Sequence, residues 1–229
     1  MLLNYFQKLD DIFSYLLGNY LNEKKFLRKK IKKNITFIDI GANVGTFSEF
    51  IKNNFSIKKA YLFEPSISSF NYLNDKFSKN RNFVIKNIGL SNQKGKRIFY
   101  DYKLSSQSSF YKLNKNFQSL GGINKKYYVN FYRLDYILKK VSCVDLCKID
   151  AQGEDLNILK GMSLILKKRL IKIIKIELSF INFYEKNDLN YLDIINFLSV
   201  YKYKLINISK IKYFKNQIGF CDAYFELSE

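Results

Sequence analysis

Phe37-Ile38-Asp39-Ile40-Gly41-Ala42-Asn43-Val44-Gly45 is the stretch that decides the fold. Apolar Phe37, Ile38 and Ile40 suit a central parallel strand over 35–40, buried on both faces. Gly41 and Gly45 permit backbone angles and close approach that a Cβ would obstruct. Asn43, between them, visits left-handed geometry at modest cost. The reading is a strand running into a turn that opens a helix over 45–53, with Asp39 near the strand's end. In open α/β sheets that end is where ligands bind, so the stretch reads as a cofactor cradle.

Outward from it, short apolar runs alternate with mixed helical segments, as a doubly wound sheet requires. A strand over 60–63 ends in Glu64-Pro65, where the proline stops the ladder and leaves the acid at its tip. A helix over 66–79, a strand over 82–87 and the turn Ile88-Gly89-Leu90-Ser91-Asn92 follow, and Arg97 to Tyr102 reads as an extended excursion. Residues 103–126, rich in Ser, Asn, Gln, Gly and Lys, read as a mobile loop or flap over the site, since loops this long inside a domain are usually functional or disordered. The pattern then predicts a strand over 127–132, a helix from Leu134 to Lys140, a strand over 144–149 ending in Asp150, and a helix over 154–168 with Glu154 and Asp155 in its first turn. Acids there suit the positive end of the helix dipole. A strand over 171–178 carries Glu177 near its end, a helix spans 188–199, and strands 202–208 and 219–227 close the sheet as an antiparallel pair. The expected fold is α/β: one doubly wound, Rossmann-like domain over 34–229.

Residues 1–33 read separately. Leu2, Phe6, Leu9, Phe13, Leu16 and Tyr20 make one helical stripe, an amphipathic helix fit to pack on the domain or on a second subunit as a homodimer contact. Lys24, Lys25, Arg28, Lys29, Lys30, Lys32 and Lys33 follow as a basic connector, read as a solvated approach to the first strand. No apolar run approaches the roughly 20 residues that span a bilayer, and Asp10 and Asp11 interrupt any leader pattern, so a cytoplasmic protein is expected.

The 229 residues carry 39 Lys and Arg against 20 Asp and Glu, a formal charge of +19. Such a balance attracts polyanions, yet Lys, Asn, Ile, Phe and Tyr rise together here, as A/T-rich codons alone would produce. The chain has no histidine, which removes the commonest general base and transition-metal ligand. Cys143, Cys147 and Cys221 lack paired zinc spacing and are assigned to core or strand positions in a reducing compartment; no metal is expected.

Spacing sorts the ligands a strand-turn-helix can hold. A phosphate loop needs a Gly-Lys-Ser/Thr ending, but Thr46 and Phe47 follow Gly45. A dinucleotide fingerprint would place glycines at 41, 43 and 46, where Gly41, Asn43 and Thr46 stand. S-adenosylmethionine fits better, having no phosphates. Asp39 can accept from its amino group directly or through water, with the backbone of Gly41 and Ala42 beside the methionine moiety. Glu64 can accept both ribose hydroxyls, and the turn at Ile88 and Gly89 can meet the adenine edge. The candidate cofactor residues are Asp39, Gly41, Ala42, Asn43, Gly45, Thr46, Phe47, Glu64, Pro65, Ile88, Gly89 and Asp150. Asp39 and Glu64 could each instead be plain helix caps.

With these residues placed, the chain resembles the FkbM-type methyltransferases, class I S-adenosylmethionine-dependent O-methyltransferases, from about residue 35 to 225. The carriers are the 37–45 stretch, Phe63-Glu64-Pro65, Gly89-Leu90-Ser91-Asn92 with Gly95, Arg133-Leu134-Asp135, and above all Lys148-Ile149-Asp150-Ala151-Gln152-Gly153-Glu154-Asp155 followed by Ile158-Leu159-Lys160-Gly161. Asp155 departs from the pattern, where Glu is commoner. The resemblance implies a mainly parallel seven-stranded sheet and methyl transfer to a hydroxyl, often on a sugar, glycan or secondary metabolite. Without histidine, Asp150 is the first candidate for the base or the acceptor-orienting group, then Glu177 and Glu154. Two other readings stay open: an RNA or DNA acceptor held through the basic run and exposed aromatics, and a catalytically silent binding protein on the same fold.

Overall fold

The computed structural model describes residues 18–32, 34–120, 122–185 and 190–228. The chain divides into two compact units, with the boundary between residues 33 and 34. In the first, a helix α1 runs over 18–30. Most of the expected stripe over 2–21 lies outside the described residues. The basic run, read as a connector, is instead largely helical, and Leu27 accepts the backbone N–H of Ile31 at 2.8 Å just past the helix end.

The second unit is a seven-stranded sheet of order β3-β2-β1-β7-β8-β10-β9. The strands are β1 (Ile35–Ile40), β2 (Ile57–Phe63), β3 (Phe83–Lys86), β7 (Val144–Ile149), β8 (Ile171–Ser179), β9 (Tyr203–Phe214) and β10 (Gln217–Leu227). β1 pairs in parallel with β2 and β7, β2 with β3, and β7 with β8. β10 is antiparallel to both β8 and β9. Every residue of β1 is buried, as its apolar run required. The closing strands are longer than expected, because they continue into a hairpin across Lys215 and Asn216 and leave almost no connection.

The helices around this sheet are α2 (Thr46–Asn54), α3 (Ile67–Phe77), α4 (Leu134–Ile137), α5 (Asp155–Gly161), α6 (Ser163–Lys167) and α7 (Tyr191–Val200). Ser66 caps α3 by accepting from the Ser69 N–H, and Asn190 with Asp193 forms a capping box on α7. Such caps satisfy N–H groups that the helix leaves unpaired. The single helix expected over 154–168 is two, broken at Met162. Gly161 sits at that break, and a Cβ there would lie 2.0 Å from the Ser91 carbonyl oxygen. The helix therefore meets the 91–92 turn backbone to backbone, which only glycine allows.

The excursion after β3 builds a second sheet that the sequence pattern did not reveal. It has order β4-β6-β5, from β4 (Gly89–Leu90), β5 (Gly95–Tyr102) and β6 (Ile123–Tyr132). β6 starts at Ile123, four residues before the expected 127, because Lys125 and Lys126 pair with Asp101 and Tyr100 along the β5 ladder. The 103–126 segment is also more ordered than a flap. It makes two short 3₁₀ turns and bridges Tyr100 to Ser109 and Leu113 to Tyr184. Cys147 and Cys221 are buried, whereas Cys143 is exposed and lies one residue before β7, neither core nor strand. Among the described residues no helix is long and apolar enough to cross a membrane.

Gly161→Ala is expected to cost about 1–3 kcal/mol, the usual range for overpacking, read as a lower denaturant midpoint with an unchanged slope. An unshifted midpoint would show that the 91–92 turn yields freely.

Candidate active site

The parallel strands β1, β2, β3 and β7 all end on one edge, and there the chain leaves a cavity of about 80 Å³. Its floor is the turn after β1. Gly41 and Ala42 both donate backbone N–H bonds to the Phe63 carbonyl, at 3.0 and 3.1 Å, so the turn folds over the end of β2. Gly41 has φ +70, and a Cβ there would fall 1.9 Å from the Asp150 carbonyl oxygen. The tips of β1 and β7 can therefore touch.

Lys148 ties these tips together. It lies opposite Asp39 in the β1/β7 ladder and is buried. Its Nζ donates to the Gly41 carbonyl at 2.8 Å and pairs with Asp39 Oδ1 at 3.3 Å and Asp150 Oδ2 at 3.4 Å. Burial opposes the charge, but Asp39 and Asp150 outweigh it and hold Lys148 protonated above the ordinary lysine range. The second Asp39 oxygen accepts from Ser48 Oγ at 2.7 Å. Asp39 is fully buried and does not line the cavity. Its charged partner in the protein is Lys148, and it acts on the site through the turn that Lys148 holds.

Glu64, at the tip of β2, does line the cavity. Its oxygens accept backbone N–H bonds from Asn43 and Ser66, each at 2.7 Å. Desolvation pushes its pKa up to about 7, against the lowering by those two bonds. Asn43, at φ +49, is fixed by accepting Ser69 Oγ at 2.9 Å. Pro65, Ile88 and Gly89 complete this side, while Phe99 and Phe110, edge to face at 5.3 Å, and serines 105, 106 and 108 close the other. The serine run is anchored by buried Asp101, which accepts from Ser108 Oγ at 3.1 Å. Of the remaining cofactor candidates, Ala42, Gly45, Thr46 and Phe47 shape the turn and α2 without lining the cavity. Phe47 instead lies beneath the Lys175 ammonium, 4.8 Å from its ring centre.

Asp150 lines the cavity from the β7 tip, its Oδ1 accepting Gln152 Nε2 at 2.7 Å. Gln152, at φ +50, accepts the Tyr184 hydroxyl at 2.6 Å on Oε1 and Ser109 Oγ at 2.6 Å on its carbonyl. Glu154 also borders the cavity but is committed elsewhere. It accepts Arg97 and Ser91, each at 2.5 Å, and Tyr111 at 2.9 Å. Its partner Tyr111 is pushed up to about 12 by burial and then by this carboxylate. Asp155 is a loop clamp, accepting from Ala151 and Gly153 N–H at 3.0 and 3.1 Å, and burial raises it to about 6. Glu177 stands outside the first cavity and lines a neighbouring cleft.

Lys148, Gln152 and Tyr184 were given no role from sequence. For Lys148 a signal existed: a charged residue inside the apolar run 144–149, two places before Asp150. Nothing local marks Tyr184, which reaches Gln152 only through tertiary packing.

Among the described residues the cavity wall contains carboxylates and hydroxyls but no Lys or Arg. A pyrophosphate would face uncompensated like charge there, whereas a sulfonium cofactor without phosphates suits the same groups. The match to known families agrees. Residues 39–205 fit the model of the methyltransferase FkbM domain.

The chain belongs to the FkbM methyltransferase family.

Its cofactor is S-adenosylmethionine. Among solved structures it is similar to a methyltransferase FkbM from Methylobacillus flagellatus, at 14% identity and TM-score 0.56, over 86% of this chain and 45% of that one. The chain thus spans under half the length of that relative. It is also similar to an rRNA methylase from Streptococcus thermophilus, at 11% identity and TM-score 0.51, over 90% and 95% of the two chains. Aeropyrum pernix fibrillarin with natively bound S-adenosyl-L-methionine aligns at 10% identity and TM-score 0.50, over 86% and 68%. At these identities the likeness shows the class I methyltransferase fold. A search of curated proteins finds no match.

Asp39→Ala is expected to cost about 3–5 kcal/mol, because it leaves the buried Lys148 charge without its β1 partner. The result is read as lost denaturant stability, and wild-type stability would remove Asp39 from the fold's electrostatics. Glu64 makes a separate prediction. Its pKa is raised above the unfolded value, so the stability it contributes is present below the ordinary 4.5 and is lost as pH rises through about 7. Glu64→Gln should flatten that fall. If the ionised carboxylate receives the ribose, S-adenosylhomocysteine affinity of the wild type should drop several-fold from pH 8 to 6, and calorimetry on Glu64→Gln should show no such drop.

Proposed function

We propose that this methyltransferase transfers its methyl group to a hydroxyl oxygen of a sugar, glycan or small metabolite, with Asp150 receiving the hydroxyl proton. One observation carries the choice of Asp150. Of the carboxylates bordering the cofactor cavity, it is the accessible one, its side chain 37% exposed against 1% for Glu154. Glu64 is buried and already accepts two backbone bonds.

Bound S-adenosylmethionine supplies an electrophilic methyl, so the C–O bond forms as the S–C bond breaks. What the chain adds is position. Lys148 and the Gln152 amide fix the Asp150 carboxylate at the cavity edge, and orientation of this kind contributes up to roughly 7–11 kcal/mol. Removing the proton from the attacking oxygen is worth about 10²- to 10⁴-fold.

An RNA or DNA acceptor is the competing reading, drawn by the basic charge. Against it stand the cavity walls, which among the described residues carry acids without a Lys or Arg to receive phosphate. A reducing, cytoplasmic setting suits the three free cysteines.

Asp150→Asn is expected to bind S-adenosylhomocysteine with wild-type affinity and to lose at least about 100-fold in turnover, measured by labelled-methyl transfer to separated glycan, small-molecule and RNA fractions. Full activity in that variant would reject its role; label found in RNA would replace the acceptor class; no label in any fraction for the wild type would favour a silent binding protein.

A further inference from the structure

Beside the cofactor cavity, and sharing Gln152 with it, lies a second cleft at the ends of β7 and β8 and the start of α7. Its volume is about 50 Å³, against the roughly 10–15 Å³ that one water needs. It is the smaller of the two cavities and accepts the end of a molecule.

The cleft's charge runs against that of the chain. In a protein with 39 Lys and Arg, its wall has Asp155 and Glu177 and, among the described residues, no basic residue. Polar Asn182 and Asn190 and the rings of Phe183 and Tyr191 complete it. Asp155 is used by its own loop, but the Glu177 carboxylate has no hydrogen-bond or ion-pair partner among the described residues. The residue keeps some exposure through the cleft while its carboxylate is desolvated. A desolvated carboxylate without a partner is costly, and a cation entering this cleft would relieve that cost.

We propose that the second cleft receives a cationic amino group of the methyl acceptor, which is then a hydroxylated amine such as an amino sugar. The inference rests on the reading of the first cavity as the cofactor site. With the amine beside Glu177 and the aromatic walls available to its apolar atoms, a hydroxyl on the same molecule faces the Gln152 junction and Asp150.

The groups facing Glu177 give the inference a second signature. Burial first, then Asp150, Asp155 and Asp222 raise its pKa well above the ordinary range, while Lys148 lowers it. Tyr184 and Cys221 also sense its charge. The free protein therefore keeps the Glu177 proton to higher pH than an ordinary carboxyl does, and an ammonium seated there favours its release.

The test uses the full chain saturated with S-adenosylhomocysteine and three probes of nearly equal size: ethanolamine, ethylene glycol and glycolate. Saturation-transfer NMR at pH 7 should rank ethanolamine at least ten-fold tighter than ethylene glycol, with no glycolate binding. Calorimetry in two buffers of different ionisation enthalpy should show proton release on ethanolamine binding. Glu177→Gln should keep S-adenosylhomocysteine affinity while losing both the preference and the proton release. Glycolate binding as tightly as ethanolamine, or a preference that survives Glu177→Gln, overturns the inference. Should the variant fail to fold, the wild-type probe series and its proton release decide alone. Failure of S-adenosylhomocysteine to bind would instead overturn the cofactor reading.

Discussion

A buried ammonium holds the catalytic edge of this protein together. Lys148 lies within a parallel strand whose neighbours are apolar, where an unpaired charge would cost several kcal/mol. It survives by collecting oxygens from three separate segments: Asp39 on β1, the Gly41 carbonyl in the turn, and Asp150 beyond β7. The same contacts that satisfy the lysine bring the cradle turn against the β7 tip. Register and site geometry are therefore one constraint, since a slip of one residue in the β1/β7 ladder would remove Asp39 from its place opposite Lys148.

The two sheets divide the labour around that edge. The parallel strands supply the turn, Glu64 and Asp150. The smaller β4-β6-β5 sheet carries Phe99, while the segment leaving it brings Phe110 and the serine run across the opening. Arg97 on β5 reaches Glu154 at the start of α5 and rests over the Phe131 ring at 4.3 Å. That pair fastens the smaller sheet to the loop after β7. A carboxylate that sequence position made a catalytic candidate thus has its oxygens occupied by fastening.

The parallel core was legible in the sequence because its signals are local. The run 35–40, the acid-proline tip at 64–65 and the strand ending before Asp150 each fix an element and its end by periodicity and turn chemistry. The excursion was not, since 103–126 is stabilised by partners far along the chain, such as Tyr184 and the β5 ladder, and its Ser-rich composition carries no such information. The break at Met162 was hidden for the same reason: the periodicity of 154–168 suits one helix, and only the approach of the 91–92 turn to Gly161 shows otherwise. Residue types at strand ends pointed to Glu64 and Asp150, and both line the cavity. The burial of Asp39 escaped, because whether a strand-end acid faces a ligand or a lysine depends on the neighbouring strand.

Gln152 forms part of the wall of both clefts, and its side chain joins Asp150 to Tyr184. A partition with two faces is a thermodynamic coupling element. Any occupant of one cleft that shifts this amide alters affinity in the other, and the factor is the same in either direction. Cooperativity between two ligands can thus reside in a single amide held at a left-handed backbone angle, with no movement of domains.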